Sequence, residues 1–171
     1  RTLGEISRML AGADKLLKVE FSANHLRVVV DETTLISRLY TGEFVKRENI
    51  FPPSFTTEVT LKRTELIESV ERASVLIRGE KNNLIIMEVK GGAVYVTANS
   101  EIGNVAEKVN AVLEGKEIRI AMNGKYVLDA LKALDEEEIV MYMNTPIAPF
   151  VLKNKENKYG AYLILPVRTT A

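Results

Sequence analysis

The feature that most constrains this chain is a repeat. The stretch 124–168, GKYVLDALKALDEEEIVMYMNTPIAPFVLKNKENKYGAYLILPVR, reads as one helix followed by three strands. Tyr126, Val127, Ala130, Leu131 and Leu134 recur at i, i+1, i+4, i+5 and i+8 and form one apolar stripe on a helix. Residues 139–143, 149–153 and 161–167 are short runs rich in β-branched and aromatic side chains, with turn residues at Asn144-Thr145-Pro146 and from Asn154 to Asn157 between them. The same order occurs twice earlier. Residues 64–77 form an amphipathic helix with Thr64 as N-cap and Leu66, Ile67, Val70, Ala73, Ser74 and Ile77 inward. Strands at 83–90 and 93–99 follow, joined by Gly91-Gly92, and then a third at 105–113, where a short helix is the competing period. At the start, 2–13 is a helix with Thr2 and Glu5 in capping-box spacing, Gly12 near its end, and Leu3, Ile6, Leu10 and Ala13 as its stripe. Strands at 16–23, 25–31 and 33–40 complete that unit. Further strands at 55–62 and 117–122 lead into the second and third helices.

Helices therefore begin near Thr2, Thr64 and Gly124, at intervals of about sixty residues. The segment 41–54 breaks the pattern with Gly42, Pro52 and Pro53 and reads as a linker, since proline fixes φ and removes a donor. Two units after the linker make one complete domain, and the unit before it makes half of one. The predicted division is 1–54 and 55–171. The predicted class is α+β, with helices on one face of antiparallel sheets.

Composition narrows the function by exclusion. Lys plus Arg equals Asp plus Glu at 23 each, so a uniformly basic nucleic-acid binder is ruled out, but a polarised one is not. With no cysteine there is neither a disulfide nor a thiolate metal site, which suits a reducing cytoplasm. No apolar run approaches the roughly 20 residues of a membrane span. The chain starts at Arg1 without an initiator Met, as a piece of a longer protein does. His25 is the only histidine and sits at a predicted hairpin turn, which reads as an exposed turn residue rather than a catalytic base, and no second histidine or cysteine exists to build a transition-metal site with it. Asp135 to Glu138 reads as a solvated helix end, because consecutive carboxylates diverge. No phosphate loop is present. The expectation is a non-enzymatic protein without cofactor or metal.

Basic residues lie on or beside the helices: Arg1, Arg8 and Lys15, then Lys62, Arg63, Arg72 and Arg78, then Lys125 and Lys132. On one side of a continuous sheet they would form a sparse surface that attracts phosphates without reading bases. Ordinary solvated faces are the alternative, since Glu65, Glu68 and Glu71 share a helix with them. The tail Leu163-Ile164-Leu165-Pro166-Val167-Arg168 carries more large apolar side chains than one sheet face can bury. With Phe51-Pro52-Pro53 or Ile147-Ala148-Pro149 they would line a partner groove.

The runs NLIIMEVKGGAVYVTANS, EIRIAMNGKYVLDALKAL and MNTPIAPFVL and the ending AYLILPVR together resemble the bacterial DNA polymerase III β subunit, the replicative sliding clamp. GEISRML through ISRLYTG, with the FPP linker, resembles the second half of that family's middle domain. Residues from about Phe55 onward resemble its third domain. The resemblance implies a head-to-tail dimeric ring of six similar domains, helices inside, sliding on duplex DNA without sequence preference and tethering the polymerase. It implies DNA-facing roles for Arg8, Arg63, Arg72, Lys125 and Lys132. It also implies a groove between domains two and three for short peptides of polymerase and clamp-loader subunits. The matching groove positions are Pro52, Ile147, Pro149, Leu163, Ile164, Leu165, Pro166, Val167 and Arg168. Val75 and Leu76 match the subunit contact of the homodimer. A first domain and the first half of the second are absent from the matched stretch, including part of the groove wall. The half domain leaves an open sheet edge and an apolar stripe, which the same segment of another copy could cover. The rival readings are a protein-interaction α+β module without DNA binding and a small-molecule or enzymatic domain, for which no polar cleft of clustered ionisable groups is legible.

Overall fold

The computed structural model describes residues 2–11, 16–46, 48, 50–79, 83–156 and 160–169. Arg1, Gly12, Ala13, Lys15, Asn82 and Asn157, singled out above, lie outside the described residues. The chain divides into two compact units, Arg1–Lys46 and Arg47–Ala171, and the division falls inside the segment read as a linker.

The first unit has helix α1 (Thr2–Leu10) and strands β1 (Lys18–Phe21), β2 (His25–Val30) and β3 (Thr33–Arg38). The strands form an antiparallel sheet in the order β1-β2-β3. The Thr2 hydroxyl does not cap α1. It lies 2.9 Å from the Ser37 hydroxyl on β3. α1 buries no residue completely, and among the described residues the buried apolar side chains of this unit are Val28 and Val30.

The second unit holds β4 (Thr57–Lys62), α2 (Arg63–Leu76), β5 (Leu84–Lys90), β6 (Ala93–Ser100), β7 (Gly103–Gly115), β8 (Ile118–Asn123), α3 (Gly124–Ala133), β9 (Glu138–Met143), β10 (Phe150–Asn154) and β11 (Tyr162–Ile164). The 105–113 segment is strand, not helix. The repeat here is a strand, a helix and three strands. Thr57 to Ile118 and Arg63 to Gly124 are both steps of 61 residues. One eight-stranded sheet runs in the order β11-β10-β9-β4-β7-β6-β5-β8. Each repeat gives its leading strand to the other. β4 pairs with β9, from Thr57↔Met143 to Lys62↔Glu138, and β8 pairs with β5, from Ile118↔Val89 to Asn123↔Leu84. The core under the helices joins Leu66, Val70 and Ala73 of α2 and Val127, Ala130 and Leu131 of α3 to Val59, Met87, Met141 and Phe150 of the strands. Leucine- to phenylalanine-sized side chains buried this fully contribute roughly 1.5–3 kcal/mol each.

Helix starts differ from expectation. Thr64 is not the cap of α2. β4 runs straight into the helix, Lys62 stays extended, and no side chain caps it. The Arg63 N–H instead donates to the Glu137 carbonyl at 2.8 Å. At α3 the cap is Asn123, whose Oδ1 accepts from the Lys125 and Tyr126 amides at 2.9 and 3.4 Å. Gly124 is the first helical residue and is buried. A Cβ there would meet Ser74 Oγ at 3.0 Å and Ile85 Cγ2 at 3.3 Å, so the glycine permits close packing of α3 on α2 and β5.

Candidate functional site

Tyr126 is the residue of the α3 stripe that the core does not take. It is 59% exposed, whereas Val127, Ala130, Leu131 and Leu134 are buried. An apolar stripe wider than the contact leaves its flank to solvent. That flank is where the second repeat ends. β11 is only three residues long and pairs Leu152↔Tyr162, Val151↔Leu163 and Phe150↔Ile164. The ladder ends at Ile164, and Pro166, two residues on, has no N–H with which to resume it. Beyond it, the Val167 N–H donates to the Ala121 carbonyl of β8 at 2.8 Å and draws the two sheet edges toward one another.

The result is a cleft of about 520 Å³ lined by Tyr126, Asp129 and Ala130 of α3 and by Ala161 to Leu165. Leu165 is 65% exposed, Leu163 is half-buried, and Ile164 faces the core. Tyr162 donates its hydroxyl to the Ala133 carbonyl at 3.3 Å and ties β11 to the end of α3. Volume and apolar lining suit a few side chains of an extended or turn-forming segment.

The predicted groove residues do not all meet there. Leu163, Ile164 and Leu165 line the cleft, while Pro166 and Val167 are half-buried beside it and Arg168 is exposed. Pro52 lies in a second recess of about 360 Å³ with Glu48, Phe51, Phe55, Val151 and Lys153. Val151 is the register partner of Leu163, so the two recesses flank the β10–β11 pair. Ile147 is 67% exposed in the β9–β10 turn and Pro149 is half-buried before β10, and neither lines either recess. Tyr126 and Asp129 were missed as site residues. The stripe assigned Tyr126 to the core, and nothing local distinguishes a buried flank from an open one. The outer sheet face around the second recess is aromatic. Phe55 and Tyr142 stack tilted at 5.1 Å, and Lys153 Nζ sits 5.2 Å from the Tyr142 ring centre.

The predicted basic surface is uneven. Arg78, Lys125 and Lys132 share a cleft of about 540 Å³ between α2 and α3 with Glu71, Asp129 and Leu128. Lys132 is paired with Glu71 at 2.6 Å, whereas Lys125 has no ion pair among the described residues. Arg63 is corrected. Its guanidinium donates from Nε to the Glu136 carbonyl at 2.8 Å and from one NH group to the Leu131 carbonyl at 3.4 Å, so it holds the end of α3. Arg72 makes a bidentate pair with Glu107 of β7, at 2.9 and 2.8 Å. That hydrogen-bonded pair lowers the Glu107 carboxyl pKa and raises that of the Arg72 guanidinium. In the first unit, Arg8 pairs with Glu5 at 2.9 Å on an exposed turn of α1.

At the end of α2, Val75 is 67% exposed and Leu76 half-buried. β7 pairs with β4 only over 111–115, so the 103–110 half of β7 has a free edge opposite β6 among the described residues. His25 opens β2, exposed, with its amide donating to Ser22 Oγ. Among the described residues no three His, Cys, Asp or Glu side chains gather to hold a metal, and no helix is long and apolar enough to cross a membrane.

Comparison with known proteins gives one consistent answer. Residues 48–168 match the family described as the DNA polymerase III beta subunit, C-terminal domain. The chain is 32% identical over 171 residues to the beta sliding clamps of Staphylococcus epidermidis and Staphylococcus aureus, covering 99% of this chain and 45% of each relative. The solved DNA polymerase sliding clamp of Bacillus subtilis superimposes with a TM-score of 0.80 at 30% identity, over 99% of this chain and 45% of that one. The chain thus spans about half the length of the relatives it matches.

Proposed function

Because this chain belongs to the DNA polymerase III beta subunit family, we propose that it forms the carboxyl-terminal part of a sliding clamp and captures short partner peptides in the cleft between α3 and the tail. On this reading Arg47–Ala171 is the clamp's third domain, and the first unit is the second half of its middle domain. The observation that carries the proposal is the placement of exposed Tyr126 and Leu165 on the two walls of one apolar cleft. Apolar anchors entering such a cleft supply most of the affinity of a small interface. Polymerase and clamp-loader subunits are the partners this reading names. The protein acts by tethering, with no catalytic step of its own.

The test is fluorescence anisotropy with a labelled short peptide, rich in large apolar residues, from the clamp-binding segment of a bacterial replicative polymerase. Tyr126→Ala and Leu165→Lys are each expected to weaken binding about tenfold, or roughly 1.4 kcal/mol. Unchanged affinity in both would refute the assignment.

Duplex DNA is the second partner proposed. The carrying residues are Arg78, Lys125 and Lys132 in the α2–α3 cleft, with Arg63 and Arg72 engaged elsewhere. Glu71 and Asp129 among them keep attraction weak, which suits sliding. Subunit pairing is assigned to Val75, Leu76 and the free edge of β7. In a ring assembled from the longer chain, Lys125→Glu with Arg78→Glu should shorten retention on circular DNA. Retention equal to wild type would favour the interaction module without DNA binding.

A further inference from the structure

Within the second unit, the tail meets β8 in the register that β7 keeps with β4. Thr60 of β4 and Ala121 of β8 are equivalent, by the same step that separates Thr57 from Ile118. Strand pairing carries the equivalence across the sheet. Glu58↔Tyr142 matches Arg119↔Glu88. Glu88↔Tyr95 then matches Tyr142↔Val151, and Tyr95↔Lys108 matches Val151↔Leu163. Lys108 therefore corresponds to Leu163, and further along the same strands Val112 corresponds to Val167. Thr60 pairs with Val112, and the Ala121 carbonyl accepts the Val167 N–H at 2.8 Å. The single contact of the second joint is thus an in-register pair of a ladder that goes no further.

The residues around that pair differ between the repeats. Ala111 and Leu113 flank Val112, and both pack against the core. The Ala111 N–H also donates to the Gly92 carbonyl at 3.0 Å. Their counterparts in the tail are Pro166, which has no N–H, and Arg168, which is exposed. Leu113 pairs with buried Val59, so a completed ladder would set Arg168 against buried Ile120. A guanidinium in that place loses water without gaining a partner. We propose that Pro166 and Arg168 are positioning residues that stop the tail from zipping onto β8 and so keep the cleft open. Completion would add Arg119↔Thr169, the counterpart of Glu58↔Glu114. It would also carry the strand unbroken from Ile164 to Val167. Alternation then sets Leu165 on the sheet face opposite that of buried Ile164, away from Tyr126 and α3. The cleft would lose one of its two exposed apolar walls. This effect on binding rests on the cleft being the peptide site, whereas the opening of the joint does not.

The experiment gives the tail the residues of β7. In the 171-residue chain, Pro166→Ala combined with Arg168→Leu should slow amide hydrogen exchange at Arg119, Ala121 and Thr169 about tenfold and raise the urea midpoint. Its affinity for the apolar polymerase peptide should fall about tenfold. Arg168→Gln keeps the position polar and should leave exchange and midpoint as in wild type. If Arg168 acted only by touching the peptide, the double variant would bind weakly with exchange and midpoint unchanged, and that result overturns the proposal. So does a double variant that closes, by exchange and midpoint, yet binds the peptide as wild type does. A wild-type chain that fails to bind the peptide refutes the cleft as the peptide site and the effect on binding with it, while the exchange rates still decide whether the two residues hold the joint open.

Discussion

The two repeats of the second unit differ most where each sheet should close. In the first repeat, β7 is 13 residues long and lies along β4 for five pairs, from Thr57↔Gly115 to Leu61↔Ala111. In the second, β11 stops after three residues, and one hydrogen bond, from Val167 to Ala121, stands where the second ladder would run. The first joint is a completed sheet. The second is an unfinished one whose spare apolar side chains face the flank of α3. A duplicated fold thus acquires an apolar cleft where one of two equivalent strands is shorter, with no new element.

The largest test of that contrast is at the glycines. Gly115 has φ +101°, and a Cβ there would lie 2.1 Å from the Thr56 carbonyl oxygen. Gly115→Ala should cost about 3 kcal/mol, read as a lowered urea midpoint. Gly160 near the open end has φ +91° but nothing within 4 Å, so Gly160→Ala should cost about 1 kcal/mol. Equal losses would show that the two ends are not differently packed.

A smaller effect separates the helices. Asn123→Ala removes the cap of α3 and should cost about 1 kcal/mol. Lys62→Ala, at the equivalent place before α2, should stay within about 0.5 kcal/mol because no side-chain cap is lost. The smallest effect is electrostatic. Arg72 holds the Glu107 carboxyl below its ordinary value of 4.5, so the pair stabilises the fold above that pH and loses this as pH falls through the lowered value. Glu107→Gln should flatten this part of the acid dependence of the urea midpoint. An unaltered pH profile would mean that the pair contributes nothing measurable.

Much of this was legible from periodicity. The helices, the hairpin at Gly91-Gly92 and a repeat of about sixty residues all follow from apolar spacing and turn residues. What periodicity cannot show is the partner. It placed Val127 and Tyr126 on one stripe, yet only the first meets the sheet. It placed 161–167 in one strand, whereas the ladder stops at Ile164. It grouped Pro52 with the tail, though Phe51 and Pro52 of the linker, with Phe55, share a recess with Val151 and Lys153 on the outer sheet face. It treated arginines as surface charge, although Arg63 binds the carbonyls at the end of α3. The exchange of leading strands between repeats, which builds the core, depends on long-range pairing that no local pattern records. In the first unit, the buried apolar side chains among the described residues are Val28 and Val30.

The most direct test of the unfinished joint as a binding site is a titration of the isotopically labelled 171-residue chain with the polymerase peptide, followed by amide NMR shifts. Saturable shifts should cluster at Tyr126, Asp129, Ala161 to Leu165 and Val167, while the closed joint at Leu61 and Ala111 stays unmoved. Saturable binding that leaves the tail and α3 unshifted, or shifts the closed joint instead, would contradict it.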